Sequence, residues 1–217
     1  MGSITRSFAN NITTSGVLLP ASLTNNSIAN VTAYNAAIAT GNMKLISTQT
    51  ASNSASISFT TGIDSTYKEY QFYFIDIHPR TDANELQFQV STNGGSSYGV
   101  AITSTFFGAY NYEDGSAPAF QYFTFGDLAQ STNYQILSLN LGNDADQSCA
   151  GSMSLFNPAS TTYVKHFISN TNGYHQSDFQ HNNYCAGYVN TTSAVNAINF
   201  KATTGNIDGT ILMYGIV

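Results

Sequence analysis

Histidine is the residue type best suited to metal or acid–base chemistry in this sequence, and two of its four copies lie close together. The segment from His175 to His181 also contains Asp178, so it offers three candidate metal ligands. On one extended strand, residues six apart share a face but lie roughly 20 Å apart. The two imidazoles could therefore meet only across a loop, and the pattern favours a polar loop between strands over a metal site.

The remaining candidates for metal binding are weaker. Asp144 and Asp146 follow Gly142-Asn143, but the segment lacks the glycine and the closing glutamate of an EF-hand loop, so it is interpreted as a charged turn. The spacing of Cys149 and Cys185 fits no zinc motif. The sequence therefore predicts no metal site and no cofactor.

The two cysteines also bear on the redox state of the chain. No basic segment followed by an apolar run opens the sequence, so a secretory signal is not expected. Buried free thiols at Cys149 and Cys185 are then favoured. A disulfide between them stays open.

Hydrolytic chemistry lacks a recognisable set of residues. Glycoside hydrolysis needs two carboxylates across a cleft, and no pair stands out among the three glutamates and nine aspartates. Neither cysteine has a visible catalytic neighbourhood. The sequence therefore predicts no catalytic residues and a protein that is not an enzyme, although a carboxylate pair assembled between subunits stays open.

Aromatic residues are dense in residues 106–112 and 120–125. Tyrosine beside asparagine and aspartate suits a sugar-binding face, because a ring stacks on the sugar while the polar groups bind its hydroxyls. The alternative is that these rings fill the core of a chain without tryptophan. Core packing is favoured for the phenylalanines, both interpretations stay open for Tyr110 and Tyr112, and no glycan-binding residue is assigned.

The charge of the chain limits its partners. Charged residues make up 8% of the sequence, against about 25% in typical soluble domains. The net charge is −6, and six basic residues are too few for a surface that follows phosphates, so nucleic-acid binding is not expected. No apolar run is long enough to cross a bilayer, so no membrane insertion is expected. Low charge favours packing in an assembly, or neutral partners such as glycans.

Alternating hydrophobicity identifies the secondary structure. Leu86, Phe88 and Val90 alternate with polar residues, which is typical of a half-buried strand. Asn93-Gly94-Gly95 then suits a tight turn, and the alternation resumes at residues 98–102. The sequence therefore predicts a β-hairpin over residues 86–102.

The same pattern continues along the chain from Lys44. Short strand-like segments separated by turn signals favour a sandwich over a βαβ fold, and the last strand, residues 209–216, is typical of a jelly roll whose first and last strands are neighbours. Residues 70–77 are apolar on both faces and predict a central strand. The predicted strands are residues 44–48, 54–60, 67–77, 85–91, 97–103, 106–112, 119–125, 134–141, 149–156, 163–169, 184–189, 194–201 and 208–216. The predicted fold is an all-β, jelly-roll-like antiparallel β-sandwich with an extended N-terminal arm.

The chain divides into residues 1–43, the arm, and residues 44–217, the sandwich. Residues 7–43 contain no charged side chain and few bulky apolar ones, and only residues 36–39 suggest a helical turn. A flexible leader is one interpretation. The favoured one is an arm that orders against neighbouring subunits and serves attachment or oligomerisation.

Several long segments resemble a family of virion structural proteins of tailed bacteriophages, in particular marine ones. They include Ile75-Asp76-Ile77-His78-Pro79 and together span most of residues 44–217: residues 45–51, 70–79, 88–97, 160–167, 186–194 and 209–216. The resemblance implies a non-enzymatic virion protein with a β-sandwich domain, assembled in the host cytoplasm. A tail fibre or appendage and a capsid decoration both stay open.

The resemblance also suggests partners. By analogy with other phage jelly rolls we expect a homotrimer that contacts other virion proteins of the tail or capsid. The alternative function is a carbohydrate-binding module that recognises a host surface glycan during attachment.

Overall fold

The computed structural model describes residues 42–116 and 118–217. Within them the backbone is almost entirely antiparallel β-structure, with one short 3-10 turn at Thr124–Gly126 and no helix that could cross a membrane. The strands are β1 (Met43–Ser54), β2 (Ile57–Phe59), β3 (Glu69–Pro79), β4 (Asn84–Ser91), β5 (Ile102–Tyr112), β6 (Ala119–Tyr122), β7 (Gln135–Leu141), β8 (Cys149–Phe156), β9 (Lys165–His175), β10 (Phe179–Val189), β11 (Ala197–Ala202) and β12 (Ile207–Ile216). The all-β prediction is confirmed. The predicted arm, residues 1–43, and the helical turn at residues 36–39 fall outside the described residues, apart from the last two residues of the arm.

Eight strands form a jelly roll. One layer has the strand order β1-β12-β3-β8 and the other the order β2-β11-β4-β7, which is the arrangement produced by two Greek keys. A single pairing of Leu141 on β7 with His175 on β9 joins the two layers into one continuous sheet, and each layer is called a sheet below. The first and last strands, β1 and β12, are neighbours, and β3 lies centrally between β12 and β8, as predicted.

Four further strands are inserted into this framework. The β5–β6 pair follows β4, the β9–β10 hairpin follows β8, and together they extend the first sheet in the order β8-β9-β10-β5-β6. We call this extended sheet the large sheet and β2-β11-β4-β7 the small sheet. The inner face of the large sheet is the one turned toward the small sheet, and the outer face is the other one.

The core between the sheets is built around phenylalanine. The ring of Phe200 on β11 lies 5.4 Å from that of Phe72 and 5.3 Å from that of Phe74, both on β3. The rings of Phe59 and Phe88, from the small sheet, each lie 6.4 Å from it. All five side chains are buried, so Phe200 joins the two sheets at the centre of the sandwich.

The predicted hairpin over residues 86–102 is wrong. The turn forms, with positive φ at Gly94 and Gly95, but β4 pairs with β7 and β11, and the chain then crosses to the large sheet. The reason lies in Gln89, whose position in the alternation suggests a solvent-facing side chain. Its amide is fully buried and donates hydrogen bonds to the backbone carbonyls of Val100, Thr132 and Asn133, at 2.9–3.2 Å. Those bonds fix a connection where a strand is predicted.

The β9–β10 hairpin is longer than predicted. Residues 170–175 and 179–183, which lie between two of the predicted strands, are themselves strand rather than loop. Because β9 pairs along its length with both β8 and β10, its backbone groups are satisfied even though its outward side chains are polar. Gly173 is required there by packing, since a Cβ would lie 2.6 Å from a methyl carbon of Leu141.

Candidate functional site

The outer face of the inserted strands carries a cluster of aromatic rings. Phe107 on β5 and Tyr184 on β10 are opposite each other in register, and their rings stack at 5.3 Å with 13° between their planes. Phe120 and Tyr122 on β6 continue the cluster, and the ring of Phe120 lies 5.5 Å from that of Phe107. Phe120 is 71% exposed and Tyr184 is 39% exposed. We call Phe107, Phe120, Tyr122 and Tyr184 the aromatic platform.

Side-chain amides lie in a row beside the platform. The amide of Asn170 on β9 donates to the side-chain oxygen of Asn182 at 3.2 Å. The amide of Asn182 in turn donates to the hydroxyl of Tyr184 at 2.8 Å. These bonds hold planar polar groups against the edge of an apolar surface.

A shallow groove of about 460 Å³ continues the same face. Asn111, Gln180 and Tyr174 are cross-strand neighbours on β5, β10 and β9, and they line it with Glu113 and Asp146. A hydrogen bond with Glu113 is the main reason that the pKa of Tyr174 rises to about 12, with burial and nearby carboxylates adding to it. The groove therefore presents amide, carboxylate and phenol groups side by side.

Positive charge lies elsewhere in the described part of the chain. None of its lysines or arginines lines the groove. Arg80 pairs with Asp208 at 2.8 Å, and Lys165 is fully buried with its ammonium donating to two backbone carbonyls. The groove thus offers hydrogen bonds without a lysine or arginine in its lining, which suits a neutral hydroxyl-rich ligand better than an anionic one.

The two tyrosines considered for sugar binding have their rings on the other face, although Tyr112, at the end of β5, also borders the groove. Tyr110 and Tyr112 have the opposite parity to Phe107 on β5, so they point inward and are half-buried. Their rings pack against Phe179 at 5.5 and 4.6 Å, and the ring of Tyr110 also lies 5.9 Å from that of His181. The structure thus separates these tyrosines from the platform.

The hairpin brings His175 and His181 together, which contradicts the expectation of a polar loop there. Their ring centroids are 6.4 Å apart, because β9 ends at His175 and a three-residue turn leads into β10. Burial, and then the neighbouring His175, lower the pKa of His181 from 6.5 to about 4. No group of three metal-binding side chains occurs among the described residues, and the absence of a metal stays a prediction.

The other candidate residues occupy structural positions. Asp144 and Asp146 belong to a turn that is closed by a hydrogen bond from the backbone N–H of Gln147 to the backbone carbonyl of Asp144. The predicted charged turn is confirmed. Cys149 and Cys185 are free and buried, as favoured by the sequence. Burial raises the pKa of the Cys149 thiol to about 12 and raises that of Cys185 as well, so neither is a thiolate nucleophile at neutral pH.

The sequence also contains one segment with the spacing of a serine nucleophile motif. Gly95-Ser96-Ser97-Tyr98-Gly99 has the Gly-x-Ser-x-Gly spacing of a nucleophile elbow. That motif requires a strand before the serine and a helix after it, whereas here the segment is an irregular connection between β4 and β5. The hydroxyl of Ser97 accepts a hydrogen bond from Asn93 at 2.8 Å, and no described histidine is bonded to it.

Comparison with known proteins gives no family for this arrangement: no protein-family model matches the chain, and no curated protein is significantly similar to it.

Proposed function

We propose that this chain is a non-enzymatic virion protein of a tailed bacteriophage that binds a host surface glycan through the outer face of its inserted strands. The observation that carries the binding function is the aromatic platform with its adjoining amide row. The assignment to a virion is supported by the resemblance described above and by the low charge of the chain. The protein is assembled in the host cytoplasm and functions in the particle, as a tail appendage or a capsid decoration.

The chemistry of the face matches that of a sugar. The C–H face of a pyranose packs on a flat aromatic ring, and the stacked pair Phe107–Tyr184 offers such a surface at low entropic cost, because each side chain has few rotatable bonds. Sugar hydroxyls both donate and accept hydrogen bonds, and Asn170 and Asn182 offer both functions. An exposed aromatic patch beside polar groups is also the usual mark of a binding surface.

Glycan binding can be tested on purified host surface polysaccharide immobilised on a biosensor. We expect the Tyr184→Ala protein to bind at least tenfold more weakly, because the change removes one ring of the stacked pair and the hydroxyl that Asn182 binds. Tyr163→Ala is the matched control, since Tyr163 is 70% exposed but lies in the connection before β9. Equal weakening by both changes, or no binding by the unmodified protein, would contradict the proposal.

A polysaccharide-cleaving enzyme is the competing function, because Glu113 and Asp146 both line the groove. We expect no release of reducing ends when the protein is incubated with the polysaccharide that it binds. Release of reducing ends that disappears in the Glu113→Gln protein would show that the groove is catalytic.

We propose further that the protein is a homotrimer joined to other virion proteins by residues 1–43. Residues 7–43 are free of charge, so burying them against a partner carries no cost of ion desolvation. Deleting residues 1–43 is expected to abolish incorporation into particles while the sandwich still folds. The checks are light scattering for the mass in solution and quantitative blotting of purified particles. Normal copy number of the truncated protein would disprove the anchor, and a monomeric full-length protein would disprove the trimer.

A further inference from the structure

Asp127 links the aromatic platform to the backbone of β5. It is half-buried and lies directly after the short 3-10 turn Thr124–Gly126. Its Oδ1 accepts a hydrogen bond from the backbone N–H of Phe106 at 2.7 Å, and its Oδ2 accepts one from the hydroxyl of Tyr122 at 2.7 Å. Phe106 directly precedes the platform residue Phe107 in β5. One carboxylate therefore joins an exposed ring of the platform to the strand that carries another.

The turn that carries Asp127 is held against β5. The backbone N–H of Phe123 donates to the carbonyl of Phe106 at 3.0 Å. Gly126 lies so close to the Phe106 ring that a Cβ would be 2.8 Å from its Cγ. The backbone N–H of Asp127 donates in turn to the carbonyl of Thr124 at 3.3 Å. The position of the carboxylate is therefore set by a packed and hydrogen-bonded backbone.

Tyr122 is the platform residue that most needs this support. It is 48% exposed and ends β6, a four-residue strand that pairs with β5. The other three rings of the platform pack on one another, but no ring of the described residues packs on that of Tyr122. Exposed side chains without such contacts change rotamer within nanoseconds. The hydrogen bond to Asp127 therefore fixes the direction of the Tyr122 ring.

The same hydrogen bond fixes the polarity of the Tyr122 hydroxyl. An ionised carboxylate only accepts hydrogen bonds, so the hydroxyl hydrogen points at Asp127 and the oxygen lone pairs are left for a ligand. The bond also raises the pKa of the Tyr122 phenol above its ordinary value of 10, which keeps it protonated at neutral pH. The hydroxyl of Tyr184 differs, because it accepts from the amide of Asn182 and keeps its own hydrogen to donate.

We propose that Asp127 is a positioning residue of the platform, which holds the Tyr122 ring in the outer face and makes its hydroxyl a hydrogen-bond acceptor for a donor group of the ligand. A sugar hydroxyl satisfies this requirement, whereas an ether oxygen or a carboxylate of the ligand does not. The inference rests on the proposed glycan-binding function and adds to it the polarity of one contact.

The first test uses Asp127→Asn, which keeps the shape of the side chain. The backbone N–H of Phe106 holds the amide oxygen in place, so the amide NH₂ donates to the Tyr122 hydroxyl and reverses its polarity. On the polysaccharide biosensor we expect binding to weaken about fivefold or more, the effect of one lost hydrogen bond. Asp82→Asn is the matched control, because it removes the same charge from an exposed position between β3 and β4. It is expected to change the affinity by less than about twofold.

A double variant shows whether Asp127 acts through the hydroxyl. In Tyr122→Phe, the further change Asp127→Asn is expected to alter the affinity by less than about twofold, because the hydroxyl is already absent. A fivefold loss in that background would overturn this inference alone. So would unchanged binding of Asp127→Asn where Tyr184→Ala loses binding. No binding by the unmodified protein would overturn the proposed function as well.

NMR of ¹³C-labelled tyrosine follows the hydrogen bond without a ligand. The Cζ resonance of Tyr122 is assigned by its loss in Tyr122→Phe. We expect the pKa of Tyr122 to lie above 10 in the unmodified protein and to fall in Asp127→Asn, because a carboxylate disfavours the phenolate and an amide donor favours it. An identical titration of Tyr122 in both proteins would overturn the proposal, since the carboxylate would then not bind the hydroxyl.

Discussion

Replacing Phe200 by alanine is expected to lower the free energy of unfolding by about 3–5 kcal/mol, the range typical of large-to-small changes of buried phenylalanine. The side chain is fully buried and touches phenylalanines of both sheets. The change leaves a cavity that neither sheet can fill without giving up its own pairing. Urea denaturation of the wild-type and variant sandwich measures the difference as a shift in the midpoint at constant slope.

Phe120→Ala is the matched control for that experiment. It removes the same side chain from a position that is mostly exposed on the outer face. We expect a change within about 0.5 kcal/mol, as for other surface substitutions. If Phe200→Ala costs no more than Phe120→Ala, Phe200 does not join the sheets as described.

Acidification is expected to destabilise the fold through His181. Its pKa is about 4 in the folded protein and 6.5 ordinarily. Between pH 6.5 and pH 4, therefore, His181 is protonated in the unfolded chain but neutral in the folded protein. The contribution of neutral His181 to the free energy of unfolding is therefore fully present above pH 6.5. It decreases as the pH falls toward 4, by about 1.4 kcal/mol for each pH unit. Between pH 7 and 4.5 the loss is about 2.5 kcal/mol, and the lowered pKa of His175 acts in the same direction.

This dependence is measured by urea denaturation at several pH values between 7 and 4.5, above the range in which aspartates dominate. His181→Phe keeps a ring in the same place and is expected to make the free energy of unfolding depend less steeply on pH. His166→Gln changes an exposed histidine on the outer side of β9 and is expected to leave the slope as it is. An unchanged slope in His181→Phe would show that another group binds the proton.

The sequence predicted the fold well because its main signal is the alternation of inward apolar residues. Leu86, Phe88 and Val90 are all buried, and the final strand lies inside its sheet, as the pattern indicates. The errors occur where polar side chains are buried or where polar strands are long. Gln89 bonds to backbone carbonyls distant in sequence, and no local pattern reveals such partners.

The candidate site was only partly predictable. The aromatic density of residues 106–125 was visible, but the face that each ring occupies depends on the strand register, which places Phe107 outward and Tyr110 inward. Tyr184 stacks on Phe107 across two strands that are far apart in the chain. β10 and β5 are direct neighbours in the sheet, but four other strands lie between them in the chain. Only the three-dimensional structure therefore brings these rings together.

The inserted strands carry the surface to which we assign the proposed function. The eight-strand jelly roll is complete without them, yet β5, β9 and β10 are each eleven residues long, and together with β6 they carry the platform and most of the groove. A rigid sheet holds these side chains in place through hydrogen bonds on both strand edges. Under the proposed function, the jelly roll is the scaffold and the added strands are the recognition element.

The most direct test of this account is whether free protein competes with phage particles for the host surface. Host cells are incubated with an excess of purified protein, and adsorption of the virions is then measured. We expect the wild-type and Tyr163→Ala proteins to reduce the adsorption rate at least tenfold and Tyr184→Ala to leave it near the uninhibited rate. Equal inhibition by Tyr184→Ala, or no inhibition by the wild-type protein, would contradict recognition of the host through the outer face.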